Sequence, residues 1–189
     1  PHHENEIAQV EAVTCKTFAR HWFHIAHLMV EGQKMSKSLG NLYTLKDLAE
    51  KGYKPQEVRY LLLSGNYRQP LNFTFDSLGA ARKALSKLSD FSNKFHIDPS
   101  YGTSLGTDFG DFYSVQEALL KDLNTPEALG RLFKIIRQLS ETFDRGEFEG
   151  KEDELNQIRK GFLTTMDAFG FNIESRKQET AEIPEEIQQ

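Results

Sequence analysis

The spacing of hydrophobic positions divides the chain into a mixed N-terminal part and a helical remainder. Apolar residues recur near the helical period of 3.6 over residues 4–15, which predicts a helix. Residues 22–30 are rich in strand formers, and Glu31-Gly32 is typical of a turn. We therefore predict a strand, a tight turn and a short return strand, residues 33–35, that leads into a loop.

Two short helices are predicted next. Thr44 is a candidate N-cap for the first helix, and Gly52 is a stop signal after it. Pro55 suits the first turn of the second helix. The predicted buried face of that helix consists of Val58, Leu61 and Leu62. Residues 71–75 are predicted to be extended.

The chain after Phe75 has the pattern of four amphipathic helices. Asp76 is the predicted cap of a helix that runs to about residue 95, and residues 112–123 form the next. Thr125 is the predicted cap of the third, with Pro126 in its first turn, and the fourth follows Gly150. The apolar stripes of the three longer helices are Leu78, Ala81, Leu85, Leu88 and Phe95; Leu129, Leu132, Phe133, Ile136, Leu139 and Phe143; and Leu155, Ile158, Phe162, Met166 and Phe169. We interpret these stripes as the core of an antiparallel bundle, with a loop over residues 96–110.

Composition narrows the possible functions. The 189 residues carry a net charge of -5, which argues against general nucleic-acid binding, so a phosphate backbone needs a local basic patch. No stretch approaches the roughly 20 apolar residues of a membrane span, and we expect no membrane partner. The single cysteine, Cys15, excludes an internal disulfide and favours the cytoplasm. Residues 171–189 hold five glutamates, as expected of a solvated linker.

The most informative stretch is Lys34-Met35-Ser36-Lys37-Ser38 with Leu39-Gly40-Asn41 after it. Two ammonium groups three residues apart, with hydroxyl donors between and beside them, suit a loop that wraps a polyphosphate. Gly40 is expected to let the backbone turn where a Cβ would clash. A solvated surface loop is the alternative interpretation.

His2 and Glu6 stand at positions i and i+4 and would share one helix face. Their nitrogen and oxygen atoms suit zinc, but zinc takes four ligands, or three and a substrate. The spacing alone favours a plain His–Glu pair on a solvated helix. The other histidines show no second paired spacing, and each is interpreted as structural.

Five basic side chains are candidate phosphate contacts. Arg59 and Arg68 are equally consistent with salt bridges. Arg131, Lys134 and Arg137 form a row on the polar side of their helix, where an ordinary solvated face is the stronger interpretation.

Several of these segments together resemble the cysteinyl-tRNA synthetases, which are class I aminoacyl-tRNA synthetases. The matching segments are Pro1-His2-His3-Glu4-Asn5-Glu6-Ile7-Ala8-Gln9, Phe18-Ala19-Arg20-His21-Trp22, the lysine loop, Val58-Arg59-Tyr60, Tyr67-Arg68, Pro70-Leu71-Asn72-Phe73 and Asp122-Leu123-Asn124-Thr125-Pro126-Glu127-Ala128-Leu129. They follow the family's order and span nearly the whole chain.

The resemblance implies a mostly α fold with a small α/β remnant. Residues 1–41 would end a Rossmann-type catalytic fold, residues 42–75 would contact the tRNA stem, residues 76–170 would form a tRNA-binding helical bundle, and residues 171–189 would be a linker to a missing C-terminal domain. We expect a monomer.

The implied reaction is ATP-dependent activation of cysteine and its transfer to tRNA(Cys). Lys37 would contact ATP and its Mg²⁺-bound phosphates, with Lys34, Ser36 and Ser38 assisting. The resemblance reverses the interpretation of the first helix, because it makes His2 and Glu6 two of four Zn²⁺ ligands that hold the cysteine thiolate. The other two ligands would be cysteines upstream of Pro1.

Two departures qualify the resemblance. Cys15 matches neither family zinc cysteine, and Asn66 stands where family members usually have histidine. We expect the isolated chain neither to activate cysteine nor to hold zinc tightly. Two alternative functions are a cysteine ligase of mycothiol synthesis and a non-catalytic helical module that binds tRNA or protein.

Overall fold

A computed structural model describes residues 1–36, 38–98 and 108–172. These residues form seven α-helices, as the sequence predicts, and a small sheet whose third strand lies within the segment predicted only to be extended. The elements are α1 (His2–Thr14), β1 (Leu28–Val30), β2 (Gln33–Lys34), α2 (Leu45–Glu50), α3 (Pro55–Leu63), β3 (Leu71–Phe73), α4 (Phe75–Lys94), α5 (Tyr113–Leu120), α6 (Thr125–Asp144) and α7 (Glu152–Phe169), with a 3₁₀ turn at Gly110–Phe112.

The sheet has the order β2-β1-β3, with β1 antiparallel to β2 and parallel to β3. Our prediction of a strand from residue 22 is wrong, because β1 is only three residues long. Its pairing begins at Leu28 opposite Leu71, and the residue before Leu71 is Pro70, which has no N–H to donate to a ladder. Strand formers at residues 22–27 therefore have no partner strand there. The tight turn at Glu31-Gly32 is confirmed.

Both short helices are confirmed, with local caps that explain them. The Thr44 hydroxyl accepts from the Asp47 N–H, and the Asp47 carboxylate accepts from the Thr44 N–H. Pro55 is the first residue of α3. Leu62, predicted to be buried, is 47% exposed, because the buried face of α3 turns toward Glu57, Val58 and Leu61 instead.

Three boundaries in the helical part differ from prediction. The cap of α4 is Thr74 and not Asp76, since the Thr74 hydroxyl accepts from the Ser77 N–H at 3.1 Å. The cap of α6 is Asn124 and not Thr125, since the Asn124 side-chain oxygen accepts from the Glu127 N–H at 3.3 Å. Helix α5 ends at Leu120 and not at 123, because Asp122 and Leu123 have φ of 56° and 50°.

Two hydrophobic clusters hold the structure together. The smaller packs β1, β3, α2, α3 and the start of α4 around Val30, Phe73 and Leu78. The larger joins α4, α5, α6 and α7 through buried aromatic side chains, among them Phe91 and Phe162. Tyr60 packs against both. The phenylalanine and methionine stripes are therefore core, as predicted.

Two predicted segments fall partly outside the described residues. The loop predicted over residues 96–110 is not described at 99–107, and the linker predicted over residues 171–189 is not described at 173–189. Among the residues that are described, no helix has the length and apolar character needed to cross a bilayer.

Candidate functional site

The lysine loop begins at the end of β2, where Lys34 is exposed. Asn41 holds the two ends of the loop together. Its side-chain oxygen accepts from the Ser36 N–H at 2.8 Å, and its amide nitrogen donates to the Lys34 carbonyl at 3.2 Å. A single side chain thus bridges Asn41 to both Lys34 and Ser36 across the loop. Lys37, the predicted main ATP contact, lies outside the described residues.

The serine hydroxyls organise the inside of the loop. The Ser36 and Ser38 hydroxyls lie 3.2 Å apart, and the Ser36 oxygen also accepts from the Leu39 N–H at 3.3 Å. Gly40 has φ of 63°, but a Cβ added there would meet nothing within 4 Å. The expected steric clash is therefore wrong, and Gly40 is required for its left-handed backbone instead.

The base of the loop is fixed to the sheet. In the turn before β2, the Gly32 N–H donates to the Asn72 side-chain oxygen at 2.8 Å. The Glu31 N–H donates to the Phe73 carbonyl at 3.0 Å, and the Glu31 carboxylate accepts from the Phe75 N–H at 3.2 Å. These bonds tie the turn before β2 to β3 and to the start of α4. Because β2 is the edge strand, the lysine loop projects from the edge of the sheet.

Helix α1 brings His2 and Glu6 together. Their Nε2 and Oε1 atoms are 3.3 Å apart, and both side chains face solvent. Within the described ranges, no group of three or more His, Cys, Asp or Glu side chains converges on a metal position. Cys15, whose thiol is free, caps the C-terminal end of the same helix, about 20 Å from His2 and about 14 Å from Glu6 at 1.5 Å per residue. The two donors fit zinc chemically, but they provide half of its usual ligands.

Near α1 the structure brings together several aromatic side chains for which the sequence predicted no mutual contact. The ring of His3 lies 5.0 Å from that of His24 and 5.5 Å from that of Trp22. Phe18 packs beside Trp22 at 5.9 Å. Residues 3 and 24 are too far apart in the chain for any periodic signal, so spacing alone could not find this cluster. It lies beside α1, in which no residue is buried.

The two predicted arginines near α3 both contact protein. Arg68 makes a bidentate ion pair with Asp122, its Nε at 2.7 Å from Oδ2 and its Nη2 at 2.9 Å from Oδ1. The Arg59 guanidinium lies against Gly170, where an added Cβ would be 2.9 Å from its Nη1. Asn66, at the departure from the family pattern, shapes this loop, because its side-chain oxygen accepts from the Arg68 N–H at 2.9 Å.

The predicted basic row on α6 is divided. Arg131 turns toward α5, donating to the Ser114 carbonyl at 2.7 Å and pairing with Glu117 and Glu127. Lys134 and Arg137 instead line an open groove of about 760 Å³ between α4 and α6. We call this the α4/α6 groove; it is lined by Lys87, Asp90, Phe91, Lys94, Gly130, Phe133, Lys134, Ile136, Arg137 and Ser140.

Charge in the α4/α6 groove is mostly positive. Four cationic side chains line it against the single carboxylate of Asp90. Lys94 is committed to the Asp144 carboxylate at 2.7 Å, and Arg137 lies 3.9 Å from Glu141. Lys87 and Lys134 are exposed. The groove is therefore a basic surface with an apolar floor.

Comparison with known proteins identifies the family. Residues 1–83 match the family model described as tRNA synthetases class I (C) catalytic domain, and residues 114–174 match the DALR domain. The cysteine–tRNA ligase of Opitutus terrae is 45% identical over 99% of this chain and 36% of its own length. That of Chlamydia caviae is 37% identical over 100% of this chain and 40% of its own length. The chain belongs to the cysteinyl-tRNA synthetase family.

A third cysteinyl-tRNA synthetase, that of Solibacter usitatus, is 49% identical over 78% of this chain and 33% of its own length. The chain thus spans between a third and two-fifths of the length of these curated relatives. The lysine loop and the His2–Glu6 pair fall in the part matched by the class I synthetase catalytic domain. The α6 side of the α4/α6 groove falls in the part matched by the DALR domain.

Proposed function

We propose that the protein to which this chain belongs is a cysteine–tRNA ligase, which activates cysteine with ATP and transfers it to tRNA(Cys). The observation that carries the proposal is the lysine loop, closed by Asn41 at the sheet edge in a chain of this family. A loop bridged by Asn41, with Lys34 exposed at its start, provides a cationic donor on a fixed base. That arrangement suits a polyphosphate ligand.

The lysine loop would act on the phosphates of ATP. Lys37 and Lys34 would neutralise the charge that develops as the cysteine carboxylate attacks, beside the Mg²⁺ that accompanies ATP. Ser36 and Ser38 have hydroxyl hydrogens that can turn toward a phosphate oxygen. The Asn41 bridge would reduce the ordering that ATP must impose on the loop, which favours binding.

The His2–Glu6 pair would hold Zn²⁺ together with two cysteines outside this chain. The 3.3 Å contact between Nε2 and Oε1 supports this role, because the two donor atoms already converge on one side of α1. When bound, zinc supplies a borderline-soft Lewis acid that prefers a soft thiolate to a hydroxyl. His2 and Glu6 would fix its position relative to the helix.

The α4/α6 groove is the best-supported place for tRNA backbone contact. Lys134 and Arg137 keep the roles predicted for them, and Lys87 joins them from α4. Arg59, Arg68 and Arg131 stay predicted tRNA contacts with less support, because each already contacts protein.

The finer architecture belongs to the same proposal. Residues 1–41 would complete a Rossmann-type catalytic fold, residues 42–75 would contact the tRNA stem, and residues 76–170 would form the antiparallel tRNA-binding bundle before a linker at 171–189. We propose a monomer in the cytoplasm, which agrees with the single cysteine.

The test is an acceptor assay on the whole protein with ATP and radiolabelled cysteine. We expect label on a tRNA(Cys) transcript, none on a glucosamine-inositol acceptor, and loss of labelling in Lys37→Ala. Labelling of the sugar amine alone would indicate the mycothiol-type ligase. Transcript binding with no ATP turnover would indicate a non-catalytic module. Either result would overturn the proposal.

A further inference from the structure

The loop after α3 meets the corner between α5 and α6 at one carboxylate. Asp122 accepts from Arg68 through two hydrogen bonds, at 2.7 and 2.9 Å, and from the Tyr67 hydroxyl at 2.6 Å. The Arg68 guanidinium also lies over the Tyr67 ring, 4.8 Å from its centroid. Three groups from two distant segments thus form one compact network, which we call the Asp122 junction.

The corner that presents Asp122 has an unusual backbone. Asp122 and Leu123 are consecutive non-glycine residues with φ of 56° and 50°. The left-handed region is unfavourable for leucine, and surrounding structure must stabilise it. Here the Leu123 N–H donates to the Leu119 carbonyl and the Asn124 N–H to the Ala118 carbonyl. This left-handed corner directs the Asp122 side chain away from α5 and toward Arg68.

Electrostatics agree with this geometry. The hydrogen bonds from Arg68 and then from Tyr67 lower the pKa of Asp122 from 3.8 to about 2. The carboxylate is therefore ionised throughout the physiological range. The junction keeps its charge pair at any pH at which the protein would work.

The other end of the junction reaches the segment before β1. The Tyr67 ring stacks on Phe23 with centroids 4.5 Å apart, and the Tyr67 carbonyl accepts from the Ala26 N–H at 2.8 Å. Residues 23 and 26 lie just before β1, the strand that pairs with β2 at the lysine loop. The Thr125 hydroxyl also donates to the Gly65 carbonyl at 3.4 Å. This hydrogen bond is a second link between the loop after α3 and the start of α6, in addition to the Asp122 junction.

We propose that Asp122, with Tyr67 and Arg68, is a positioning group for the transfer step. The junction fixes the corner between α5 and α6 relative to the sheet that holds the lysine loop. Because α6 forms one side of the α4/α6 groove, the position of the groove is fixed as well. A tRNA held in the groove then presents its 3′ end at the activated cysteine. This inference rests on the proposed function. The transfer of cysteine to tRNA should depend on the junction, whereas the activation of cysteine by ATP should not.

The experiment separates those two steps in the whole protein. Asp122→Asn removes the charge and keeps a residue that tolerates a left-handed backbone. Arg68→Gln removes the guanidinium group that pairs with Asp122. The double variant, which combines the two substitutions, completes a double-mutant cycle. Each variant is assayed for cysteine-dependent ATP–pyrophosphate exchange and for single-turnover transfer to tRNA(Cys). Glu147→Gln, which removes the Arg145 ion pair in the turn after α6, is the matched control.

We expect each single variant to lower the transfer rate by at least about tenfold, because small misplacements of reacting groups have large effects on rate. Pyrophosphate exchange should stay within about twofold of wild type, as for a step that makes no use of the junction. The double variant should be no slower than the slower single variant. Glu147→Gln should match wild type in both assays.

Tyr67→Phe is a milder variant that removes only the hydroxyl contact, and we expect it to slow transfer by about threefold, in proportion to one lost hydrogen bond. Transfer at the wild-type rate in the folded variants would overturn the inference while leaving the proposed function intact. Parallel loss of exchange and transfer would also overturn it. A wild-type protein that fails to charge tRNA would overturn both.

Discussion

At the scale of single residues, we expect Asn41 to hold the lysine loop closed. Its side chain accepts from Ser36 and donates to Lys34, which bridges the start and end of the loop. We expect Asn41→Ala to raise the KM for ATP in pyrophosphate exchange by about tenfold, the equivalent of two lost hydrogen bonds. Asn41→Asp keeps the side-chain acceptor and loses the donor, so its KM for ATP should lie between those of the wild type and Asn41→Ala. An alanine variant with the wild-type KM would contradict this role.

The titration of Asp122 is a second residue-scale prediction. Its folded-state pKa of about 2 lies below the ordinary value of 3.8. A lowered pKa means that the junction contributes stability above about pH 4, and that this contribution is lost as the pH falls toward 2. Carboxyl ¹³C shifts followed by NMR should show the low pKa directly. In Arg68→Gln the pKa should rise toward 3.8, and an unchanged value would show that Arg68 is not its cause.

Residue roles that depend on neighbours in the chain were predictable from sequence. Thr44 as a cap and Pro55 at a helix start follow from rules that span three or four residues. The Arg68–Asp122 pair joins residues 54 positions apart, and a salt bridge was only one of two equal interpretations of Arg68. The direction of a long flexible side chain depends on packing that spacing does not describe.

At the scale of helices, two glycines give a matched test. A Cβ on Gly161 of α7 would lie 2.5 Å from the Phe109 carbonyl oxygen, whereas a Cβ on Gly79 of α4 would meet nothing within 4 Å. We expect Gly161→Ala to lower the free energy of unfolding by about 1–3 kcal/mol through overpacking. Gly79→Ala should raise it by about 0.5–1 kcal/mol through helix propensity. Urea unfolding followed by circular dichroism measures both, and equal shifts of the same sign would contradict the close packing of Gly161.

The exact first residues of α4 and α6 could not be predicted from the sequence pattern. Thr74 and Asp76, like Asn124 and Thr125, are pairs of good capping residues one or two positions apart, and the sequence does not show which backbone is extended. The overlong strand prediction has another cause. Strand formers at residues 22–27 lie before the first paired position of β1 and have no partner strand, and pairing is a property of two segments.

At the scale of the whole molecule, the α4/α6 groove predicts how salt affects tRNA binding. In the whole protein, Lys134→Gln with Arg137→Gln should reduce the slope of log affinity against log salt by about 2, one for each lost phosphate contact. Lys160→Gln, which removes an exposed lysine paired with Asp108, is the control and should leave the slope unchanged. Filter binding of tRNA(Cys) at several salt concentrations gives the slope. A double variant with the wild-type slope would place the tRNA elsewhere.

The larger organisation was only partly predictable. The mixed N-terminal part and the helical remainder follow from the change in hydrophobic period, and the two cores agree with that division. The groove itself was not predictable, because it requires knowing that α6 turns Arg131 toward α5 and Lys134 toward α4. Helix α1 buries no residue, which agrees with the solvated helix that the His2–Glu6 spacing favours, although its apolar residues recur at the helical period.

The most direct measurement compares the whole protein with this 189-residue chain for zinc content and cysteine-dependent ATP–pyrophosphate exchange. We predict that the whole protein binds about one zinc per chain and exchanges on cysteine, because His2 and Glu6 then have two further ligands. The 189-residue chain should do neither. A whole protein that does not exchange on cysteine would contradict the proposed activity. Stoichiometric zinc on the short chain would contradict a site shared with residues outside it.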